Sequence, residues 1–176
     1  MEANPLLLII RTLGDLYIFI LLLRVILQVV HADYYNPISQ GVVRITQPVI
    51  NPFRKMIPQI ANTDLSPVVF ALLLKALFIY LLSSHAIPFL WISILASAGV
   101  LYTFLDIIFY AVLGSVIISW VAPGSPHPAP QLIMQVTAPF YKLMQKVIPP
   151  IGGFDLSPIV IIISIQLIQS QLRPFI

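Results

Sequence analysis

Four long apolar runs, separated by proline-rich polar segments, constrain this chain more than any other sequence feature. A bilayer-spanning helix needs about 20 mainly apolar residues, and the runs cover approximately residues 6–30, 66–84, 97–121 and 157–174. Only 9% of the 176 residues are charged, against about 25% in soluble domains. The sequence therefore predicts an all-α membrane protein with about four transmembrane helices.

The apolar stretch that contains the third run is longer than one span. It extends from Pro88 to Val121, which is too long for a perpendicular helix at about 1.5 Å rise per residue. We expect the span itself over residues 97–121. The preceding residues would form either a tilted extension or an interfacial segment anchored by Trp91.

The distribution of Lys and Arg predicts the orientation of the chain, because short loops that carry these residues stay on the cytoplasmic side. The segments after the first and third runs are basic, whereas the loop between the second and third runs has no Lys or Arg. Both long loops should be cytoplasmic and both termini outside. The cations of these two loops are Arg44, Arg54, Lys55, Lys142 and Lys146.

The chain matches itself without gaps at an offset of 91 residues, the separation between Asp64 and Asp155. The tetrapeptide Asp-Leu-Ser-Pro occurs at both places, and other residues recur at the same offset. These pairs include Asp15 with Asp106, Pro48 with Pro139, Lys55 with Lys146, Pro58 with Pro149, and Pro67 with Pro158. We predict a first unit over residues 1–85 and a second over 86–176. Two crossings per unit would make the repeats parallel, related by a pseudo-two-fold axis along the membrane normal.

Each unit contains an amphipathic pattern between its two spans. Apolar residues alternate with polar residues and cations at roughly helical spacing, which is typical of a helix lying at a membrane surface. Its cations, among them Arg54, Lys55, Lys142 and Lys146, would contact anionic lipid headgroups at about 1 kcal/mol each. Two interpretations stay open: a surface elbow that braces the spans, or a re-entrant or partner-binding segment.

The second span of each unit begins with a Ser-Pro pair, Ser66-Pro67 and Ser157-Pro158. Serine suits the N-cap of a helix and proline suits the first helical position. Asp64 and Asp155 would lie just outside, at the positive end of the helix dipole. Helix capping is the simpler interpretation, and an ion site formed by the two carboxylates is the alternative.

Charged residues also lie inside the apolar runs. An ionised side chain near the bilayer centre costs about 2.5 to 3.5 kcal/mol, so it usually has a protein partner. We expect Lys75 to pair with Asp106 or Asp15. Arg11 and Asp15 are four residues apart and can satisfy each other, which would leave Asp106 for Lys75, while Arg24 should extend toward the interface. This network is either structural or a permeation or proton-relay path.

The repeated motifs together resemble the YggT family of small membrane proteins, over nearly the whole chain and in a two-unit arrangement. The resemblance rests on Pro52-Phe53-Arg54-Lys55-Met56-Ile57-Pro58, Asp64-Leu65-Ser66-Pro67, Thr137-Ala138-Pro139, Ile148-Pro149 and Asp155-Leu156-Ser157-Pro158. One departure is that Gln145 stands where the first unit has Arg54. The resemblance implies a multi-pass protein of the bacterial inner membrane, associated with osmotic or ionic stress tolerance or with cell-envelope and division processes.

No residue pattern indicates catalysis, a cofactor or a metal. The chain has no Cys, its three His are not spaced as a ligand set, and phosphate-loop and nucleophile motifs are absent. A net charge of +3, scattered among apolar residues, excludes nucleic acid as a main partner. We predict a non-enzymatic membrane-organising or assembly factor whose partners are lipids, other membrane proteins or a second copy. The alternative is a small ion channel or transporter with a pathway between the repeats.

Overall fold

The computed structural model describes residues 5–57, 59, 63–83, 87–150 and 155–176. Within these ranges the chain is all-helical, as predicted, and contains no β-strand. Pro58, from the repeated motif, lies outside the described residues. The elements are α1 Pro5–Val29, α2 Pro37–Arg54, α3 Ser66–Leu82, α4 Phe89–Val121, α5 Pro128–Gln145, α6 Ser157–Leu172 and a 3-10 turn Arg173–Phe175.

Three of the described helices are long and apolar enough to cross a membrane. They are α1, α4 and the continuous segment formed by α6 with the 3-10 turn, with mean hydropathies of 2.3, 2.1 and 1.2. Helix α3 is also apolar, but with 17 residues it is shorter than these three segments. These lengths are consistent with a membrane protein.

Helix α4 begins before the predicted span. It is continuous over 33 residues from Phe89, about 50 Å at the helical rise. The residues before 97 are therefore an extension of the same helix and form no separate interfacial element. Trp91, the expected interfacial anchor, lies in the first turn of α4 and is exposed.

The helix boundaries follow the sequence offset. Helix α5 begins and ends 91 residues after α2, and α6 begins 91 residues after α3. Proline near the start of α2, α3, α5 and α6 fits helix initiation, because the first turn has no internal partner for an N–H group. Helix α4 is central, since it packs against α1, α3, α5 and α6.

The core lies where α1 crosses the other helices. Ile18, Leu21 and Leu22 of α1 are at most 1% exposed, and Ala71 of α3 and Val112 of α4 are completely buried in the same cluster. Close approach between α1 and α3 depends on Gly14, since a Cβ at that position would overlap the ring of Phe78. Small residues at helix contacts are the usual way for membrane helices to pack closely.

We expect Gly14→Ala to lower the melting temperature of the protein in detergent, because overpacking of a helix contact costs about 1 to 3 kcal/mol. Gly41→Ala is the matched control: a Cβ there meets no atom within 4 Å, and Ala is favoured over Gly in helices by up to about 1 kcal/mol. Gly41→Ala should therefore keep or raise the melting temperature. Equal decreases in both variants would contradict the close contact between α1 and α3.

Candidate functional site

Lys75 pairs with Asp15, one of the two carboxylates predicted as its partner. Its Nζ donates to Asp15 Oδ1 at 2.7 Å, joining α3 to α1 within the first unit. Arg11 lies one turn before Asp15, with Nε 3.8 Å from Oδ2. Asp15 thus faces two cations. The Lys75 side chain is only 18% exposed, and its Cε passes so close to Gly99 of α4 that a Cβ there would lie 2.8 Å away.

Asp106 does not pair with Lys75. It accepts a hydrogen bond from Gln169 Nε2 at 2.8 Å, which joins α4 to α6. Of the two partners expected for Lys75, Asp15 is therefore the one it takes, and each of the two carboxylates has its partner within its own unit. Gln169 is buried and was not predicted as a site residue. Its signal in the sequence is that it is one of three glutamines in the second half of an apolar run.

Arg11, Asp15 and Lys75 line a cavity of about 360 Å³, together with Ser83 and the C-terminal residue Ile176. This cavity lies near the N-terminal half of α1. Its three charged side chains already form the ion pairs described above. We call it the α1–α3 cavity.

Arg24 ties α1 to α2. Its Nη1 donates to Thr46 Oγ1 at 2.8 Å, and its Nη2 donates to Gln47 Oε1 at 3.0 Å. The side chain therefore extends from α1 to acceptors on α2, the segment that the sequence predicts at the membrane surface. The equivalent position in the second unit is Ser115, which hydrogen-bonds to the hydroxyl of Tyr141 on α5. The two units make the same helix junction with different chemistry.

The Asp-Leu-Ser-Pro motif forms the same turn in both units. Asp64 Oδ1 accepts a hydrogen bond from the Ser66 N–H at 3.0 Å, and Asp155 Oδ1 accepts from the Ser157 N–H at 2.8 Å. The other oxygen of Asp64 lies 3.3 Å from Arg54 Nε. In the second unit Gln145 Nε2 donates to Asp155 Oδ2 at 2.8 Å.

The prediction that the serines are N-caps is wrong. The N-cap residues are Leu65 and Leu156, and neither has a capping side chain, so Ser66 and Ser157 already belong to the helices. The aspartates take over the capping role because a carboxylate can accept from the N–H two residues later and favours the positive helix end. Pro67 and Pro158 then occupy the second helical position.

The two aspartates differ in their surroundings. Asp64 is 2% exposed, whereas Asp155 is exposed. Burial raises the pKa of the Asp155 carboxyl, but hydrogen bonds from Ser157 and Gln145 outweigh burial and hold the pKa below its ordinary value. The carboxylate of the second unit is thus stabilised by neutral donors, and that of the first by a guanidinium.

A second cavity, of about 600 Å³, lies where the C-terminal end of α1 meets α2. We call it the basic cavity. Its polar lining includes Arg24, His31, Ser39, Gln47, Arg54 and Asp64. Apolar lining comes from residues such as Leu27 and Val42.

His31 has an unusual backbone for its residue type. Its φ is 54°, in the left-handed region that costs a non-glycine residue about 1 to 2 kcal/mol. Its N–H bonds to the Gln28 carbonyl at 3.1 Å and the next N–H, of Ala32, bonds to Leu27 at 2.9 Å. This is the helix ending in which glycine is the usual residue, and His31 at this position lines the basic cavity.

The second unit has a cavity of about 450 Å³ in the equivalent place. Its lining includes Ser119, Ser125 and Pro130, which are 91 residues after Gln28, Tyr34 and Ser39 of the basic cavity. The positions equivalent to Arg24, His31 and Arg54 are Ser115, Ala122 and Gln145. We call it the neutral cavity.

Helices α2 and α5 meet across the two units. Asn36 Nδ2 donates to the Pro128 carbonyl at 2.8 Å, and the Asp33 N–H donates to Gln135 Oε1 at 2.9 Å. We call this joined pair the α2–α5 platform. Its exposed cations Lys55, Lys142 and Lys146 lie at or near the C-terminal ends of the two helices. Pro48 and Pro139 lie inside α2 and α5, and Pro149 follows α5.

Among the described residues, no group of three or more His, Asp or Glu side chains is placed to hold a metal ion. The candidate sites are therefore the α1–α3 cavity, the basic cavity and the α2–α5 platform. The basic cavity is lined by residues of the first unit, whereas the other two sites include residues of both units.

Comparison with known proteins agrees with the repeated geometry. A family model described as CCB3/YggT matches residues 3–84 and again residues 94–176. The chain belongs to the CCB3/YggT family. The resemblance to YggT proteins, with two repeats, is thereby confirmed. No solved structure matches the chain.

Relatives of this YggT-family chain align over almost its full length. Uncharacterized protein PA0392 of Pseudomonas aeruginosa is 41% identical over 169 residues, covering 92% of this chain and 84% of the relative. A Vibrio alginolyticus protein named for the proC 3′ region is 38% identical, covering 93% and 90%. Uncharacterized protein YggT of Escherichia coli K12 is 33% identical, covering 94% and 88%.

In this YggT-family protein we expect the pair Lys75 and Asp15 to be energetically coupled. Lys75→Met and Asp15→Asn should each lower the melting temperature in detergent, and the double variant should lose less than the sum, with a coupling of about 1 kcal/mol. Arg11→Met is the control, because its 3.8 Å contact is 61% exposed on the arginine side and such pairs contribute little. Additive losses would show that the pair is not coupled.

We also expect the first Asp-Leu-Ser-Pro turn to matter more for stability than the second. Asp64→Ala removes a helix cap, which costs about 1 kcal/mol, and also leaves Arg54 without its carboxylate. Asp155→Ala removes the same cap at an exposed position with a neutral donor, so its melting temperature should fall less. A larger decrease for Asp155→Ala would contradict this ranking.

Proposed function

We propose that this protein is a non-enzymatic integral protein of the bacterial inner membrane that organises other membrane complexes or assists their assembly. Its two units would each cross the bilayer twice in parallel, with α3 as the fourth span. The 17 residues of α3 are about 26 Å long, slightly less than a hydrocarbon core of about 30 Å, which local thinning accommodates. The segments that contain α2 and α5 would lie on the cytoplasmic side.

The observation that carries this proposal is the α2–α5 platform. The side chain of Asn36 and the backbone of Asp33 link its two halves through the N-terminal halves of the helices, and each half carries exposed cations toward its C-terminal end. At equivalent positions, Met56 and Val147 are 82% and 72% exposed beside Lys55 and Lys146. Exposed apolar and cationic groups together suit a surface that contacts anionic headgroups and a membrane-embedded partner or second copy.

The core supports an organising role over a permeation path. Asp15 in the α1–α3 cavity and Arg24 in the basic cavity are nine residues apart on α1, about 13 Å along the helix. Between them, Ile18, Leu21 and Leu22 are at most 1% exposed. An ion moving between the two cavities would have to cross this apolar layer, where the polar group that α1 supplies is the buried hydroxyl of Tyr17.

The processes that this role would serve are those that the family resemblance implies. They are tolerance of osmotic or ionic stress and the maintenance or division of the cell envelope. An assembly factor suits both, because each depends on membrane complexes being correctly placed.

A pull-down from native membranes tests the proposal. We expect the tagged full-length protein, extracted in mild detergent, to retain a membrane protein in stoichiometric amount. Lys146→Glu should reduce the retained partner at least threefold, because it reverses a charge on the platform. The control Arg173→Glu makes the same charge change in the 3-10 turn and should retain the partner. Equal loss in both variants would contradict docking on the platform.

Ion flux into liposomes tests the alternative, a small channel or transporter with a pathway between the repeats. Purified protein should give the same flux as empty vesicles. Flux that depends on the protein and disappears in Lys75→Met, with the variant still correctly folded, would favour transport and overturn the organising role.

A further inference from the structure

We propose that the basic cavity binds a phosphodiester monoanion, supplied by the headgroup of an anionic phospholipid. This site goes beyond the organising role, since it would bind its ligand whether or not a partner protein docks on the platform. Its donors would be the guanidinium groups of Arg24 and Arg54, the imidazole of His31 and the hydroxyl of Ser39.

The two guanidinium groups are held in place with donors to spare. Arg24 donates to Thr46 and Gln47, and Arg54 faces Asp64 through Nε. A guanidinium carries five N–H donors in a rigid fork, so N–H groups of both side chains remain for a ligand. This fork matches the oxygens of a phosphate group better than an ammonium does.

The charge of the lining selects the class of ligand. Two arginines and one aspartate, Asp64, leave one net positive charge when His31 is neutral. A phosphodiester carries one negative charge, which would neutralise the net charge of the lining. A metal cation would instead be repelled by two guanidinium groups. Asp64 also repels a second negative charge, which disfavours a dianion.

Ser39 supplies an observation that is independent of the charges. It is 5% exposed and lines the basic cavity, and its hydroxyl has no hydrogen-bond partner among the described residues. Buried polar groups are usually satisfied. The oxygen of this hydroxyl is enclosed by protein, and rotation of the Ser39 side chain about χ1 would turn it toward an acceptor oxygen in the cavity.

The neutral cavity serves as a comparison within the same molecule. It keeps the place and much of the framework of the basic cavity, but the positions equivalent to Arg24, His31 and Arg54 are the uncharged Ser115, Ala122 and Gln145, which are not among its lining residues. Since the second unit folds into the same helices with uncharged residues at these positions, the fold does not require the charges. Their presence in the first unit, with His31 in a strained backbone, is explained by a ligand.

The position of the basic cavity favours a lipid as the source of the anion. It lies at the end of α1, a helix long and apolar enough to span the membrane, where headgroup phosphates are found. Leu27 and Val42 provide an apolar wall beside the polar groups, and Tyr34 lines the same cavity. Tyrosine at this depth is typical of the membrane interface.

Titration of the full-length protein in an uncharged detergent with dioctanoyl phosphatidylglycerol, followed by native mass spectrometry, tests the site. We expect one saturable site whose Kd rises at least tenfold in Arg54→Gln. This variant copies Gln145, which donates to Asp155 in the second unit, so the turn at Asp64 should be kept. Arg44→Gln is the matched control, because Arg44 is exposed on the same helix outside the cavity and its variant should bind as the wild type does.

His31→Gly separates a ligand role from a structural one. Glycine relieves the left-handed backbone at this position, so the melting temperature without lipid should stay the same or rise. The Kd for dioctanoyl phosphatidylglycerol should nevertheless rise at least fivefold. A variant that binds as tightly as the wild type would remove His31 from the site.

Two further probes identify the source of the anion. Dioctanoylglycerol, which lacks the phosphate, should not compete with the phospholipid, and competition at equal concentration would overturn the proposal.

Inorganic phosphate should bind at least tenfold more weakly than the lipid. If it binds equally well and loses binding in Arg54→Gln, the anion site stands and the lipid source is overturned. If Arg44→Gln weakens lipid binding as much as Arg54→Gln does, the effect is general electrostatic attraction, and the proposed site is overturned.

Discussion

A polar side chain inside an apolar helix must find its partner within the protein, and this requirement organises both units. Asp15 with Lys75 joins α1 to α3, and Asp106 with Gln169 joins α4 to α6. Each pair replaces hydration that a lipid environment cannot provide. The same logic holds where α1 meets α2, through the guanidinium of Arg24. The apolar surfaces bring the helices together, and these few polar contacts fix which helices pair.

The two units share a framework and differ in charge. Arg54 with Asp64 becomes Gln145 with Asp155, and the junction made by Arg24 becomes one made by Ser115. Because each neutral substitute preserves a hydrogen bond, the geometry survives without the ionic contact. Charges that geometry does not need are concentrated in the first unit. A hydrogen bond between charged groups is stronger than one between neutral groups. The first unit, which has these charged donors, is therefore better suited to bind a charged ligand.

Much of the fold was predictable from the sequence, because the apolar runs and the 91-residue offset predicted the order of the helices and an amphipathic helix between the spans of each unit. The choice of partners was less predictable. Lys75 is equivalent to Gln166, but Asp106 bonds to Gln169, about one helical turn later. Sequence position cannot resolve such a shift, since residues three apart lie on one helix face. The capping role of Asp64 was misassigned to Ser66 because both residues are common at helix starts.

The basic cavity was beyond sequence analysis for a different reason. Its members come from α1, the turn after it, α2 and the residue pair before α3, and nothing in their spacing predicts that they meet. Arg24 and Arg54 are 30 residues apart in the chain and were interpreted separately, one as an intramembrane charge and the other as a loop cation. Folding places both against Asp64 through the α1–α2 junction. Asp64 is thus shared between the cap of α3 and the cavity wall, so the carboxylate that stabilises the helix start also sets the charge that a ligand meets.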